Sequence, residues 1–325
     1  MAAIRYGIAG QPVEHSLSPL LVALVARHLD LAIPESKLTM ELVEVNTIPD
    51  ALAWGYAGAV PEPIPWAYTN AVLGKFRTKA LLKRAVDAAS QVVEVHAALV
   101  SKGDPVVNAS GKNPHLPTRM FDEEIWLNLT APLKHQLDSG AVAAVDDSMN
   151  NKSVNALRWD GRGWWCAGVD GDGVVEVMAH HGFAPDTNVI GLIGGGGAAR
   201  STAAAWSAEG GMIHQLPSRR DLDDGPWTSF MTEEAPNVMV DFDNTPNVER
   251  ECFLLKSTYG PMEGGMSERI EAITENGLDG RWLLVAQHLA CWRKLWAPER
   301  SADLPSLGLL LTQLLEAECV LATYT

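Results

Sequence analysis

The segment NVIGLIGGGGAAR, residues 188–200, constrains the fold more than any other part of the chain. Residues 189–193 are a run of apolar residues typical of a buried strand, and four glycines follow before an alanine-rich segment that ends at Gly210-Gly211. Glycines let the backbone turn sharply and let a phosphate approach the amides at a helix N-terminus. This order predicts the phosphate-binding turn of a doubly wound α/β sheet, and a tight turn without a ligand is the alternative. The candidate binding residues are Gly194, Gly195, Gly196, Gly197 and Ala198.

Strand and helix patterns elsewhere in the chain agree with an α/β fold. Apolar runs predict strands at 4–9, 41–45, 125–129, 212–216 and 237–244. Two further apolar runs are joined by the turn sequence DGRG at 160–163, which predicts a hairpin. Helical spacing predicts helices over 71–100, 282–296 and 304–322. The alternation of helices and strands after residue 174 predicts βαβ units on a parallel sheet.

The composition excludes several classes of partner. The chain has 325 residues, with 25 Lys and Arg against 40 Asp and Glu, and a net charge of −15. Nucleic acids and anionic membranes need clustered Lys and Arg, so we expect neither as a partner, and no apolar run approaches the roughly 20 residues that span a bilayer. The four cysteines form no CxxC pair, which predicts free thiols, a cytoplasmic location and no metal site. The N-terminus lacks the cationic start of a signal peptide.

The end of the strand after the glycine turn indicates the kind of nucleotide. Residues 212–216 are followed by PSRRD. An acid at this position commonly bonds the ribose hydroxyls of NAD, whereas arginine suits the 2′-phosphate of NADP. Ser218, Arg219 and Arg220 therefore favour NADP. NAD stays possible because acidic residues follow at once, although these acids also suit a helix start.

Ser16 and Ser18, separated by one residue, lie at the N-terminus of the first predicted helix. Ser18 precedes Pro19, and this pair predicts a helix N-cap followed by proline at the first helical position. Ser16 is not needed for the cap. Two hydroxyls beside exposed helix amides are suited to bind a carboxylate.

The segment NLTAPLK, residues 128–134, repeats the arrangement of a strand end, a hydroxyl and a proline at a helix start. Lys134 follows in the first predicted turn, as a candidate acid/base group or a plain surface lysine. Asp170 and Asp172 in GVDGDG are candidate partners for its ammonium, and helix N-caps are the alternative. Asn155 in SVNAL offers an amide that can both donate to and accept from hydroxyls.

Together these motifs resemble those of the shikimate dehydrogenase family, in the same order and across most of the chain. The family's G-x-P-x-x-H-S-x-S-P is matched at 10–19, N-V-T-x-P-x-K at 128–134, A-V-N-T-L at 153–157, N-T-D-G-x-G at 170–175, G-A-G-G-A-A-R at 194–200, Y-x-P at 259–261 and M-L-V-x-Q with its aromatic continuation at 283–296. In this alignment Asp170 stands where the family has Asn, and Gly171 where it has Thr. The sequence DFDN at 241–244 replaces the family's N-A-T.

The resemblance implies a catalytic centre and a substrate site. Lys134 and Asp172 would be the catalytic pair, and Ser16 and Ser18 would bind the substrate carboxylate. The residues expected to hold ring hydroxyls or to line the pocket near the nicotinamide are Thr130, Asn155, Gln287 and Tyr259. The glycine turn would contact the phosphates of NADP.

The family fold predicts two α/β domains. Residues 1–171 with 280–325 would form an N-terminal substrate-binding domain, and residues 172–279 a Rossmann-type NAD(P)-binding domain. The implied reaction is the reversible NADPH-dependent reduction of 3-dehydroshikimate to shikimate, a step of the chorismate pathway to aromatic amino acids. We expect a monomer or a homodimer.

Two alternative functions follow from the positions at which this chain differs from the family motifs. A paralogue could act on quinate or aminoshikimate with NAD(P), or the chain could be a sensor that binds a ligand of the shikimate pathway without turnover. The link from Ser18 to Asn128 is roughly twice as long as the family pattern implies, and its excess, residues 50–120, has no role in the resemblance. The basic run at 75–84 within it suits a solvated helix face or a docking face for an acidic partner.

Overall fold

The computed structural model describes residues 3–31, 38–57, 66, 75–97, 123–245, 252–275 and 277–323, which form two β-sheets with helices packed on them. The strands are β1 (Ala3–Gly10), β2 (Leu38–Glu44), β3 (Glu123–Leu129), β4 (Val142–Ala144), β5 (Ala156–Trp159), β6 (Trp164–Ala167), β7 (Val189–Ile193), β8 (Met212–Leu216), β9 (Val238–Asp241) and β10 (Phe253–Lys256). The helices are α1 (Ser18–His28), α2 (Ile48–Ala57), α3 (Lys75–Ala97), α4 (Asp170–His180), α5 (Gly197–Ala208), α6 (Met266–Ala272), α7 (Gly280–Cys291) and α8 (Leu307–Ala322).

The first sheet has six strands in the order β2-β1-β3-β5-β6-β4. Strand β1 is parallel to both β2 and β3, whereas β5 is antiparallel to β3 and β6, and β4 is parallel to β6. The antiparallel pair β5–β6 is the hairpin predicted from DGRG. The carboxyl ends of β1 and β3 therefore lie side by side, and both candidate substrate motifs follow these two ends.

The second sheet has four parallel strands in the order β10-β9-β7-β8. Strand β7 is central and leads through the glycines into α5, which confirms the predicted strand, turn and helix. Strand β10 was not predicted. This sheet has the parallel, doubly wound character that the α/β prediction required.

The C-terminal segment returns to the first sheet. Helix α7 packs against α4 and α1 and continues into a π-helical turn over Trp292–Trp296, and α8 packs against α1 and α3. Trp296 stacks on Trp126 of β3 with ring centroids 5.4 Å apart, and Trp292 meets the same ring edge-on at 4.8 Å. These large aromatic contacts fix the π-helical turn after α7 against β3.

Some predicted boundaries need correction. Helix α3 covers Lys75–Ala97 of the predicted 71–100, and the two ends of that prediction lie outside the described residues, as does most of the excess segment. The last helix begins at Leu307 and not at 304, because Ser306 is its N-cap and accepts the amide of Leu309 through its side chain. All four cysteines are free thiols, as predicted. Among the described helices, none is both long enough and apolar enough to cross a bilayer.

A buried ion pair ties the first sheet to the π-helical turn. Glu124 and Arg158 are each 1% exposed, and the guanidinium donates to both carboxylate oxygens at 3.1 and 3.2 Å. Arg158 also donates to the carbonyl of Leu295 at 3.1 Å, and the indole of Trp126 donates to Glu124 at 2.8 Å. Every one of these groups is removed from water, so loss of one partner leaves an uncompensated charge.

We expect Arg158→Met to lower the free energy of unfolding by about 3–5 kcal/mol, because Glu124 would stay buried without its counter-ion. Urea unfolding followed by circular dichroism measures the change. Arg300→Met is the matched control, since Arg300 pairs with Asp303 at the surface and such pairs contribute about 0–1 kcal/mol. Equal losses in the two variants would contradict the importance of burial for this pair.

Candidate active site

Lys134 stands on a single 3-10 turn after β3. The amide of Thr130 donates to the carbonyl of Ala9, and the turn over Leu133–His135 follows. The predicted helix start at Pro132 is therefore wrong. The Gln136 side chain donates to the Pro132 carbonyl at 3.1 Å, and this is the acceptor that an α-helix would give to the Gln136 amide. The short turn projects Lys134 toward the N-terminus of α4.

Asp170 is the first residue of α4 and is fully buried. The ammonium of Lys134 donates to its two carboxylate oxygens at 2.9 and 2.7 Å. The side-chain amides of Asn155 and Gln287 donate to Oδ1 at 2.8 and 2.7 Å. One carboxylate thus gathers three of the residues predicted from the sequence as site residues.

The predicted pairing of Lys134 with Asp172 is wrong. Asp172 pairs instead with Lys294 of the π-helical turn, at 2.5 Å. Residues two positions apart on an α-helix point about 200° from each other around the axis. Asp170 therefore faces Lys134 on one side of α4 while Asp172 faces Lys294 on another.

A shift of the motif by two residues removes this conflict. Aligned at 168–173, the family pattern N-T-D-G-x-G matches Asp170, Gly171 and Gly173, and Asp172 falls on its variable position. Asp170 then no longer stands at the Asn of the pattern, and the departures become Gly168 and Val169 at its first two positions. The N-cap alternative fails for both acids, because Val169 holds the cap position.

Lys294 contacts a residue before Asp170 in the sequence, Gly168, and a residue after it, Asp172. Its ammonium donates to the carbonyl of Gly168 at 3.2 Å and to Asp146 at 3.1 Å, in addition to Asp172. Burial would lower the pKa of Lys294, but the two carboxylates outweigh burial and raise it above its ordinary value. Lys294 is therefore a fixed cation that holds the first turn of α4 in place.

The serine turn differs from the predicted N-cap. Leu17 holds the cap position and Ser18 is the first residue of α1. The hydroxyl of Ser16 accepts the amide of Ser18 at 3.2 Å, and both serines are buried. The Tyr259 hydroxyl accepts the amide of Leu17 at 3.1 Å. Burial raises the pKa of Tyr259, although hydrogen bonds with Leu17 and Ser16 act in the opposite direction.

Tyr259 is held by a buried arginine from α7. The Arg281 guanidinium lies 5.4 Å from the centre of the Tyr259 ring and donates to the carbonyl of Gly260 at 2.7 Å. Glu318 of α8 accepts two hydrogen bonds from the same guanidinium, each at 2.9 Å. The serine turn, Tyr259 and the two C-terminal helices are thus joined into one unit.

A row of polar side chains leads from the serine turn to the Lys134–Asp170 pair. The hydroxyl of Tyr6 lies near Ser18 and donates to Asn128 at 2.7 Å. Asn128 donates to the backbone carbonyl of Asn155 at 3.3 Å, and Asn155 donates to Asp170. Tyr6 and Asn128 were not singled out by sequence analysis. The only sequence signal for Asn128 is its place as the first letter of NLTAPLK.

The glycine turn fits a phosphate group. Gly194 has a φ of +123°, which a side chain would rarely tolerate. Gly195 lies under the following loop, since a Cβ there would come within 2.0 Å of the Asp221 carbonyl oxygen. A Cβ on Gly196 would meet nothing within 4 Å, and Gly196 to Ala198 are half-buried. The accessible amides at the start of α5 therefore suit the pyrophosphate of a dinucleotide, whereas Gly195 serves packing.

The glycine turn also lies against Lys134. A Cβ on Gly197 would stand 3.1 Å from the Cβ of Lys134 and 3.4 Å from the carbonyl oxygen of Lys152. Helices α4 and α5 are joined by a hydrogen bond from the Gly171 amide to Ser201 at 2.9 Å. The lysine, its carboxylate partner and the phosphate-type turn therefore meet in one place between the two sheets.

The residues predicted for the 2′-phosphate follow β8. Arg219 and Arg220 are exposed there, and the Ser218 hydroxyl donates to the carbonyl of Arg220 at 2.8 Å. Asp243 accepts from the Arg219 amide at 2.8 Å and from its guanidinium at 3.2 Å. The end of β8 thus carries two cations, of which Arg219 has an acidic partner that sequence analysis did not identify.

The fold defines the class of protein to which the chain is similar. A six-stranded mixed sheet that receives the C-terminal helices, followed by a parallel sheet with a glycine turn after its central strand, is the two-domain α/β architecture of shikimate dehydrogenases, with its Rossmann-type domain. No protein-family model matches the chain, and no curated protein matches it.

Individual solved structures give the extent of this similarity. Shikimate 5-dehydrogenase from Thermus thermophilus, solved with NADP(H) and shikimate, matches with a TM-score of 0.53 and 18% identity, over 97% of this chain and 99% of its own. Shikimate dehydrogenase from Aquifex aeolicus matches with a TM-score of 0.54 and 15% identity, over 96% and 97% of the two chains. The Mycobacterium tuberculosis shikimate dehydrogenase matches with a TM-score of 0.50 and 15% identity, over 99% of each. At these identities the similarity shows a shared fold.

Proposed function

We propose that the chain is an oxidoreductase that interconverts shikimate and 3-dehydroshikimate with NADP in the cytoplasm. The observation that carries the proposal is the position of Lys134, in contact with a buried carboxylate on one side and with the glycine turn on the other. A proton-transferring group beside a dinucleotide-type turn is what an alcohol dehydrogenase without a metal requires. The shikimate and NADP(H) bound in the Thermus relative support the choice of substrate and cofactor.

Lys134 is the proposed acid and base. In the direction of ketone reduction, its ammonium gives a proton to the oxygen of the ring carbonyl; in the reverse direction, the neutral amine takes the proton from the hydroxyl. NADP supplies the hydride acceptor, or NADPH the donor, when it is bound. Asp170 holds the ammonium through both oxygens, and Asn155 and Gln287 fix the carboxylate in turn. This acid-base step contributes typically ~10²–10⁴-fold to the rate.

The remaining residues are proposed to hold substrate and cofactor. Ser16 and Ser18 are the proposed ligands of the substrate carboxylate, and Thr130 is a proposed contact to a ring hydroxyl. Tyr259, whose hydroxyl accepts the Leu17 amide, is proposed to line the substrate pocket. The amides of Gly196 to Ala198 would bind the pyrophosphate, with Gly194 shaping the turn. Arg220, Arg219 and Ser218 would bind the 2′-phosphate.

A four-way assay tests this proposal. We expect the increase in absorbance of the reduced nicotinamide to be fastest with shikimate and NADP, compared with shikimate and NAD and with quinate and either cofactor. The ratio of kcat/KM values between the four combinations is the measurement. Faster turnover of quinate would show a paralogue of different specificity. No absorbance change with any combination, at high protein concentration and long incubation, would contradict an enzymatic role and favour a sensor.

A further inference from the structure

Asp243 lies where the nucleotide-binding end of β8 meets the turn after β9. Its carboxylate accepts from the amide of Arg219 at 2.8 Å and from the guanidinium of Arg219 at 3.2 Å. A Cβ on Gly194 would stand 3.4 Å from Oδ1 of Asp243. A single carboxylate therefore touches the arginine proposed for the 2′-phosphate and borders the first glycine of the turn.

The position of Asp243 is fixed by its own turn. The buried carboxylate of Asp241, at the end of β9, accepts the amide of Asp243 at 2.9 Å and the amide of Thr245 at 2.7 Å. Asp243 is itself largely covered, with 15% of its side chain exposed, whereas 78% of the Arg219 side chain is exposed. The acid is thus the rigid member of the pair, and the arginine is the member that a ligand can reach.

The negative charge of Asp243 affects a nucleotide with a 2′-phosphate differently from one with a free ribose. A 2′-phosphate carries close to two negative charges, and a fixed carboxylate next to its arginine repels it and competes for the guanidinium. A ribose with two free hydroxyls carries no charge, so the same carboxylate does not repel it and can accept from a hydroxyl. The attraction of this strand end for a 2′-phosphate is therefore smaller than its two arginines would give without Asp243.

We propose that Asp243 is a specificity-determining residue that lowers the preference of this site for a 2′-phosphorylated nucleotide. The proposal rests on the proposed function in assuming that a dinucleotide binds at the glycine turn. Because DFDN contains Asp243, this site should discriminate less strongly between NADP and NAD than Arg219 and Arg220 would without it.

Calorimetric titration with adenosine 2′,5′-bisphosphate and with 5′-AMP tests this assignment without any turnover. We expect Asp243→Asn to increase the ratio of the two affinities, in favour of the bisphosphate, by roughly tenfold. Asparagine keeps an oxygen that can accept the Arg219 amide, so the loop is preserved. The effect should decrease at high salt, because it is electrostatic.

Asp223→Asn is the matched control. Asp223 lies on the loop after β8 that also carries Arg219, is exposed, and pairs with Arg200 at 3.0 Å, so its replacement removes one charge without touching Arg219. An unchanged ratio in Asp243→Asn, or an equal change in Asp223→Asn, would overturn the assignment. Absence of binding of either nucleotide to the unmodified protein would overturn both the assignment and the cofactor of the proposed function. Binding without oxidation of shikimate would leave the assignment standing and remove the proposed function.

Discussion

Lys134→Ala should lower kcat for shikimate oxidation by ~10²–10⁴-fold, the range that general acid-base groups contribute. Substrate affinity should change much less, because the proposed carboxylate ligands are on the serine turn and not on the Lys134 turn. Steady-state kinetics and equilibrium binding of shikimate, measured on the same preparation, separate the two effects. The kcat loss should persist at saturating substrate and cofactor.

Two controls keep this result interpretable. His135→Ala changes the exposed neighbour on the same 3-10 turn and should leave kcat close to that of the unmodified protein. Lys134→Met keeps most of the aliphatic stem, so it should preserve the contact with Gly197 and still lose turnover. A Lys134 variant with near-normal kcat, or a His135 variant with an equal loss, would refute the assigned role.

The local elements of the fold could be predicted because their signals are local. The strand before the glycines, the hairpin at DGRG and the helix after Ser18 all depend on apolar periodicity or on turn residues within a few positions. The hairpin forms between β5 and β6, and the glycine turn leads into α5, as predicted. The strand order of the mixed sheet could not be predicted from local signals. Strand β4 pairs with β6 and not with β5, which is the next strand along the chain.

The predicted N-cap at Ser18 and the predicted helix start at Pro132 were wrong for a different reason. A proline after a hydroxyl residue predicts a cap wherever it occurs, but tertiary contacts decide which group meets the free amides. At α1, the hydroxyls of Tyr259 and Ser16 accept the amides of Leu17 and Ser18, and the Ser18 side chain makes no cap hydrogen bond. A residue about 240 positions away in sequence cannot be found from the cap pattern.

Sequence analysis named three of the residues that the structure brings together, but it paired Lys134 with a different acid. Lys134, Asn155 and Gln287 were named from the sequence, and all three donate to the same carboxylate. The choice between Asp170 and Asp172 depended on the alignment of a short motif with two acids, and composition cannot resolve a shift of two residues. The direction of each side chain around α4 resolves it.

Asp170→Asn and Asp172→Asn form a matched pair for this reason, with the same change on the same helix turn. Asp170 accepts four hydrogen bonds, two from Lys134 and one each from Asn155 and Gln287. Asparagine has no negative charge and would turn an NH₂ group toward these donors, leaving polar groups unpaired in a buried place. We expect kcat to decrease by ~10²-fold or more, because Lys134 loses the group that positions it.

Asp172→Asn should change kcat by no more than a few-fold. Its partner Lys294 keeps Asp146 and the carbonyl of Gly168, and the Asp172 side chain is 35% exposed, so water can replace the lost charge. Thermal unfolding of both variants checks that the comparison is made between folded proteins. If Asp172→Asn lost more turnover than Asp170→Asn, the catalytic pair would be the one that the family alignment first implied. The buried contact between Lys134 and Asp170 would then be a structural ion pair, and Asp172 would replace Asp170 as the partner of Lys134 in the proposed mechanism.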